Sequence, residues 1–117
     1  MGKRSKSPFQ GEMLQGTLDL LILKTLGLGP AHGHTIAHAI EQTSDDFLQV
    51  EQGSLYPALY RLEDRGWVES FWGVTENHRK AKYYRLRPAG RKQLAEQTNN
   101  WDRMVRAIGR ILHPASE

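Results

Sequence analysis

Along this chain the apolar positions keep a helical period, shift to short strand-like runs, and return to a helical period. In residues 14–26, LQGTLDLLILKTL, Leu14, Leu18, Leu21, Ile22 and Leu26 fall at helical spacing, and Leu20 and Leu23 widen the apolar face. A helix that is apolar nearly all round belongs in the middle of a domain. The cluster GLGPAHG at 27–33 breaks it. A second helix is expected over 34–43, with Ile36, Ala37 and Ile40 inward, and Thr43-Ser44-Asp45-Asp46 forms a turn after it.

The pattern predicts a third helix over 52–65, where Leu55, Leu59 and Leu62 make the inward stripe and Gly66 is the stop. Pro57 suits a position near the start of that helix, where backbone amides lack intrahelical partners. Residues 67–72 and 82–86 have the aromatic and β-branched content of strands, and the polar stretch 73–81 is a hairpin loop. Pro88 fits the first turn of a long fourth helix that reaches about Leu112. Within it Leu94, Trp101 and Ile108 recur every seven residues, as do Gln97, Met104 and Ile111, and Thr98, Val105 and Leu112. That period suits packing against a partner helix. The expected dimer contacts are Leu94, Trp101, Met104, Val105, Ile108, Ile111 and Leu112.

These elements predict a mainly α chain with a small β-hairpin, an α+β winged helix-turn-helix. The expected divisions are a flexible basic arm at 1–12, a winged-helix domain at 13–87 and a dimerisation helix at 88–117. At 117 residues the chain has the size of one domain. It has no cysteine, which excludes disulfides and thiolate metal sites. No apolar run approaches the ~20 residues needed to cross a bilayer, and MGKRSKSPFQ lacks the apolar stretch of a signal peptide. A soluble, cytoplasmic protein without membrane partners is expected.

The net charge of +3 matters less than its distribution. Residues 76–87 carry Arg79, Lys80, Lys82, Arg85 and Arg87 against Glu76, which gives 5 − 1 = +4. Residues 41–69 carry seven acids and two bases, which gives −5. A chain polarised in this way has one phosphate-seeking edge. In the loop, Asn77, His78, Arg79, Lys80 and Lys82 suit backbone or minor-groove contact, although charge runs also occur simply as solvated faces. Lys3, Arg4 and Lys6 in the arm could add phosphate contacts.

On the third helix the leucine stripe leaves Ser54, Pro57, Ala58 and Arg61 outward, with Tyr56 and Tyr60 on a flank. Short residues near a helix start let its backbone approach a major groove. Gln52 and Ser54 can bond base edges or phosphates, and Arg61 can reach phosphate or guanine. Tyr56 and Tyr60 have two readings at this point, DNA contacts or structural aromatics. His34, His38 and Glu41 would share a helix face at metal-ligand spacing, but no metalloprotein pattern surrounds them. No metal site and no cofactor is assigned. Catalytic signatures are also lacking: there is no nucleophile elbow and no phosphate-cradling glycine loop, so an enzyme is not expected.

Three segments now gain meaning together: GTLDLLILKTL with GPAHGHTIAHAIEQ, then QGSLYPALYRLEDRGWVES, then KYYRLRPAGRKQL. In this order and spacing, over about residues 14–95, they resemble the PadR family of bacterial transcriptional regulators. The resemblance implies that the 52–60 segment lies on DNA. It implies a backbone contact at His34, where many members have tyrosine, with Thr35 beside it. A further departure is Arg87-Pro88, where a threonine cap is usual. In some members a tryptophan on the last helix meets its symmetry mate across a pore and stacks planar drugs or phenolics. Trp101 is therefore a candidate ligand contact as well as an interface residue. The function so implied is a homodimeric repressor of a pseudo-palindromic double-stranded DNA operator, released by an aromatic small-molecule effector. The alternatives are a small-molecule-binding protein centred on the dimer pore and a winged-helix interaction module without DNA affinity.

Overall fold

The computed structural model describes residues 15–115. In chain order it contains α1 (Gln15–Gly27), β1 (Ala31–His32), α2 (Gly33–Thr43), α3 (Gln52–Asp64), β2 (Val68–Val74), β3 (Lys80–Leu86) and α4 (Pro88–Leu112). The result is an α+β winged helix with a long C-terminal helix. The arm at 1–12, with Lys3, Arg4 and Lys6, lies outside the described residues.

The leucine-rich α1 sits at the centre, as its all-round apolarity requires. Its Ile22, Leu23 and Leu26 are buried with Ile36 of α2 and with Leu55, Leu59 and Leu62 of α3. Asp19 departs from that pattern: a charged residue in an apolar helix, it is 4% exposed.

The strands differ from expectation in two ways. The breaker cluster contains a two-residue strand, β1, which pairs antiparallel with β3 through Ala31–Tyr84 and His32–Tyr83 and makes the sheet order β1-β3-β2. A two-residue strand has no periodicity of its own, so only the neighbouring ladder reveals it. The hairpin loop is also shorter than 73–81, because pairing runs out to Val74–Lys80. Thr75 N–H then donates to the Arg79 carbonyl at 2.9 Å, which leaves residues 76–78 to turn the chain. His78 N–H donates to the Thr75 carbonyl at 2.9 Å, and His78 itself is left-handed at φ 62°. This is the type I turn with a left-handed closing residue common in three-residue hairpins.

The junctions hold α3 and α4 in place. Gly66, at φ 77°, donates to the Glu63 carbonyl while Trp67 N–H donates to Leu62, the Schellman arrangement that ends α3. α4 then starts against the same turn, with Arg87 N–H bonded to the Trp67 carbonyl at 2.9 Å. A side chain at Gly90 would collide with that carbonyl. Leu94, one turn on, meets Gly27 of α1. Leu94 therefore packs partly within its own chain, against the core. It does share a helical face with Trp101 and Ile108. The first turns of this face are covered by α1, and the face then runs past the domain. The radius of gyration is 16.1 Å, against about 13 Å for a compact domain of this length. The overhang of α4 accounts for the difference.

Candidate nucleic-acid interface

The solvent face of α3 carries Gln52, Gly53, Ser54, Tyr56, Pro57 and Tyr60, all exposed. The helix begins without a side-chain cap: Ser54 and Leu55 both donate their amides to the Glu51 carbonyl at 2.9 Å. Nothing approaches Gly53 within 4 Å of where a Cβ would stand, so this end is open. Pro57 lacks an amide hydrogen and so cannot cap the Gly53 carbonyl four residues back.

Two expected outward residues point inward. Ala58 is 0% exposed, because it fills the space between Leu55 and Leu62 on the buried side of the helix. Arg61 turns to α1, where its guanidinium donates to the Asp19 carboxylate at 2.8 Å. A carboxylate inside an apolar core is tolerated only when paired and hydrogen-bonded, and Arg61 satisfies it. Its Nε is buried without a hydrogen-bond partner. The expectation that Arg61 reaches phosphate or guanine is corrected accordingly, and the exposed face of α3 carries no cation. The signal in the sequence was Asp19 itself, the one charge within LDLLIL.

Tyr56 and Tyr60 separate clearly. Tyr56 is 45% exposed, and its ring lies over Gly33 at the start of α2, where any Cβ would strike the tyrosine hydroxyl. It therefore spaces α2 from α3 while presenting an edge to solvent. Tyr60 is 73% exposed. Beyond them Glu63 accepts a bond from Ser70 Oγ of β2 at 2.7 Å. Tyr56, Tyr60 and Glu63 are spaced i, i+4 and i+7, so they share the flank of α3 that turns to the sheet.

At the start of α2, His34 and Thr35 are exposed, and Thr35 Oγ1 lies 3.1 Å from His32 Nε2. The rings of His32, His34 and His38 follow one another at 6.4 Å. Glu41 does not join them, because its carboxylate accepts the Val50 amide at 2.8 Å and pins the turn between α2 and α3. Among the described residues no group of three or more metal-ligating side chains assembles.

The charge of the wing divides unequally. Glu69 of β2 bonds both Arg85 (2.7 Å) and Arg87 (3.1 Å), and the Arg85 guanidinium also lies over Phe71. The hydrogen bond from Arg85, with Arg87 adding to it, holds the Glu69 carboxyl below its ordinary value of 4.5. Arg79, Lys80 and Lys82 are exposed and enter no ion pair among the described residues, nor does Asn77 at the tip. Three bases against Glu76 leave +2 for an anionic partner, half of the sum over the segment. On the sheet face turned to the helices Tyr84 is buried, and burial, then Glu63 and Tyr56 nearby, push its hydroxyl pKa up. The same face continues past the helices as Trp72 and Val74, paired with Lys82 and Lys80. The sequence pattern places Trp72 in a strand and Val74 in the hairpin loop, and assigns a contact to neither.

Along the outer part of α4, Trp101, Met104, Val105, Ile108, Ile111 and Leu112 are all exposed. No helix of the described residues is long and apolar enough to cross a membrane.

A helix presenting small, polar and aromatic groups beside a cationic two-stranded wing defines a winged-helix DNA-binding transcriptional regulator. The sequence profile of the transcriptional regulator PadR-like family matches residues 22–96, and the chain belongs to that family. It is 31% identical over 97 residues to transcriptional regulator Rv3488 of Mycobacterium tuberculosis, a match covering 83% of this chain and 87% of that one. Among solved structures it is similar to a transcriptional regulator from Clostridium thermocellum, with a TM-score of 0.75 and 29% identity, covering 82% of this chain and 93% of that one. A PadR family regulator from Eggerthella lenta superposes with a TM-score of 0.71 and 30% identity, covering 86% of this chain and 85% of that one. These relatives are regulators of transcription, not enzymes.

Proposed function

We propose that the protein is a cytoplasmic homodimeric repressor that binds a pseudo-palindromic operator. Two copies of α3 enter successive major grooves about one helical turn (~34 Å) apart. Gln52, Ser54, Tyr56, Pro57 and Tyr60 meet the groove, and His34 and Thr35 lie at the backbone. Asn77, Arg79, Lys80 and Lys82 of the wing meet phosphate. The observation that carries this reading is the pairing of an open, cation-free α3 face with a wing whose three free bases supply the electrostatic attraction. Uncharged groups suit base edges, while phosphate contact positions the protein without reading sequence.

The dimer rests on α4. Six large apolar side chains exposed along one face of a single helix are what an oligomer interface leaves uncovered when one copy stands alone. Trp101, on that stripe, is the residue we assign to an aromatic effector. Its ligand would act by changing how the two α4 helices pack and so the distance between the reading helices.

Selection of bound sequences from random duplexes tests the reading, together with the mass of the protein in solution. Enrichment of a palindrome with half-sites one turn apart, bound by a dimer, is expected. A monomer at working concentrations, or no enrichment at low ionic strength, would refute it. Quenching of tryptophan fluorescence by planar phenolics, lost in Trp101→Leu, tests the effector site.

A further inference from the structure

The core face of the sheet does not end where the core ends. By the alternation of a strand, Val68, Ser70, Trp72 and Val74 of β2 share one face with Leu86, Tyr84, Lys82 and Lys80 of β3, each pair directly opposed. Val68 and Tyr84 are buried, and Ser70 is held by Glu63 of α3. The row Ser70–Tyr84 is thus the last one covered by the helices. The next two rows, Trp72–Lys82 and Val74–Lys80, project beyond them, and Trp72 is 67% and Val74 63% exposed. An aromatic and a β-branched residue, each facing a lysine across the ladder, form one apolar patch with a cationic border. Tyr60 lies between Tyr56 and Glu63 on the flank of α3 that turns to the sheet.

Resting on the DNA-binding reading above, we infer that Trp72 and Val74 are an apolar DNA contact, packing on the sugar edges of the groove beside the one α3 enters. Lys80 and Lys82 hold the flanking phosphates. The lysines specify the occupant: an apolar patch bordered by cations fits a partner with hydrophobic sugar walls between rows of phosphates. Apolar side chains set against sugars or base steps, with Lys or Arg on the backbone, are a general mode of groove binding. The other face of the wing is already committed internally. Tyr83 stacks on Phe71 at 5.6 Å, closes over Gly73 and meets His32 edge-on, so only the core-side face is open for a partner.

The test uses the full chain and a duplex selected from random sequence, with affinity measured across a salt series. Trp72→Ala is expected to weaken binding about ten- to a hundredfold, the loss that accompanies one large apolar side chain no longer buried. The salt slope should not change, because no counterion release is lost. Lys82→Ala, by contrast, should flatten the slope by about one unit. Trp72→Ala binding like the wild type overturns the inference and leaves the DNA-binding reading intact. So does a slope flattened by a full unit in Trp72→Ala, since the change would then act through Lys82. A wild-type chain that binds no duplex removes the reading and the inference together. Should Trp72→Ala fail to fold, acrylamide quenching decides: the duplex should shield a fraction of the fluorescence in the wild type that is missing in Trp72→Phe. Equal shielding in both proteins overturns the inference. So does shielding of the Trp72 fraction itself, the part missing in Trp72→Phe, that grows with protein concentration in the absence of DNA, which would make a second copy of the chain the occupant.

Discussion

Arg61 is the residue whose structural role differs most from the role its type suggests, and its removal should be felt in stability and not in DNA affinity. The Asp19 side chain is 6% exposed and that of Arg61 27%, with 2.8 Å between them. Taking away one partner of a buried pair costs about 3–5 kcal/mol, because the other charge is left in a low-dielectric site. Arg61→Ala leaves the nearly buried carboxylate without its partner, so about 3 kcal/mol is expected. Asp19→Ala strands a guanidinium that is already partly wet and can turn outward, so the loss should be nearer 1–2 kcal/mol, roughly that of an unmet hydrogen bond. Against a total of about 5–15 kcal/mol, the first is a large fraction of the stability. Urea unfolding at one fixed protein concentration, because a dimer couples stability to concentration, should rank the variants in that order. The double variant Asp19→Leu/Arg61→Met, which replaces the pair with apolar groups, should recover most of the loss. It should also bind DNA with the wild-type salt slope. Equal losses in the two single variants would refute the reasoning on burial. A slope flattened by about one unit in the double variant would return Arg61 to the phosphates.

Arg79→Ala/Lys80→Ala should weaken binding to all duplexes alike and flatten the salt slope by about two units; an unchanged slope would mean that the wing tip does not meet phosphate. Gly90→Ala forces a methyl group into the Trp67 carbonyl and should cost about 1–3 kcal/mol in unfolding experiments, whereas Gly109→Ala, with open space around it, should be neutral or stabilising. Glu69→Gln should release Arg85 and Arg87 and steepen the salt slope for non-specific DNA. Because Glu69 is held below 4.5 in the folded chain, its contribution is present above that pH and disappears as pH falls through the lowered value; titrating stability below pH 5 in wild type and Glu69→Gln checks the sign.

Much of this architecture follows from local pattern alone. The periods of α1, α2, α3 and α4, the glycine and proline punctuation and the basic hairpin suffice to define the winged helix, because each element carries enough residues for its hydrophobic spacing to be counted. The exposed face of α3 was also visible in outline: Gln52, Ser54, Pro57 and Tyr60 are exposed because Leu55, Leu59 and Leu62 must be inside. What spacing could not supply is which groups meet across the chain. Asp19 and Arg61 lie 42 positions apart, and only packing of α1 on α3 turns that arginine inward. Glu69 claims two of the wing's arginines for a similar reason, and the net charge of a segment takes no account of a carboxylate on the opposing strand. Leu94 and Trp101 sit on one heptad stripe, yet α1 covers the first and leaves the second open. β1 exists only because β3 runs beside it. Local spacing decides which face of an element is apolar. Which neighbour covers that face, and where the cover stops, is decided by long-range contacts that a chain forms only once it is folded.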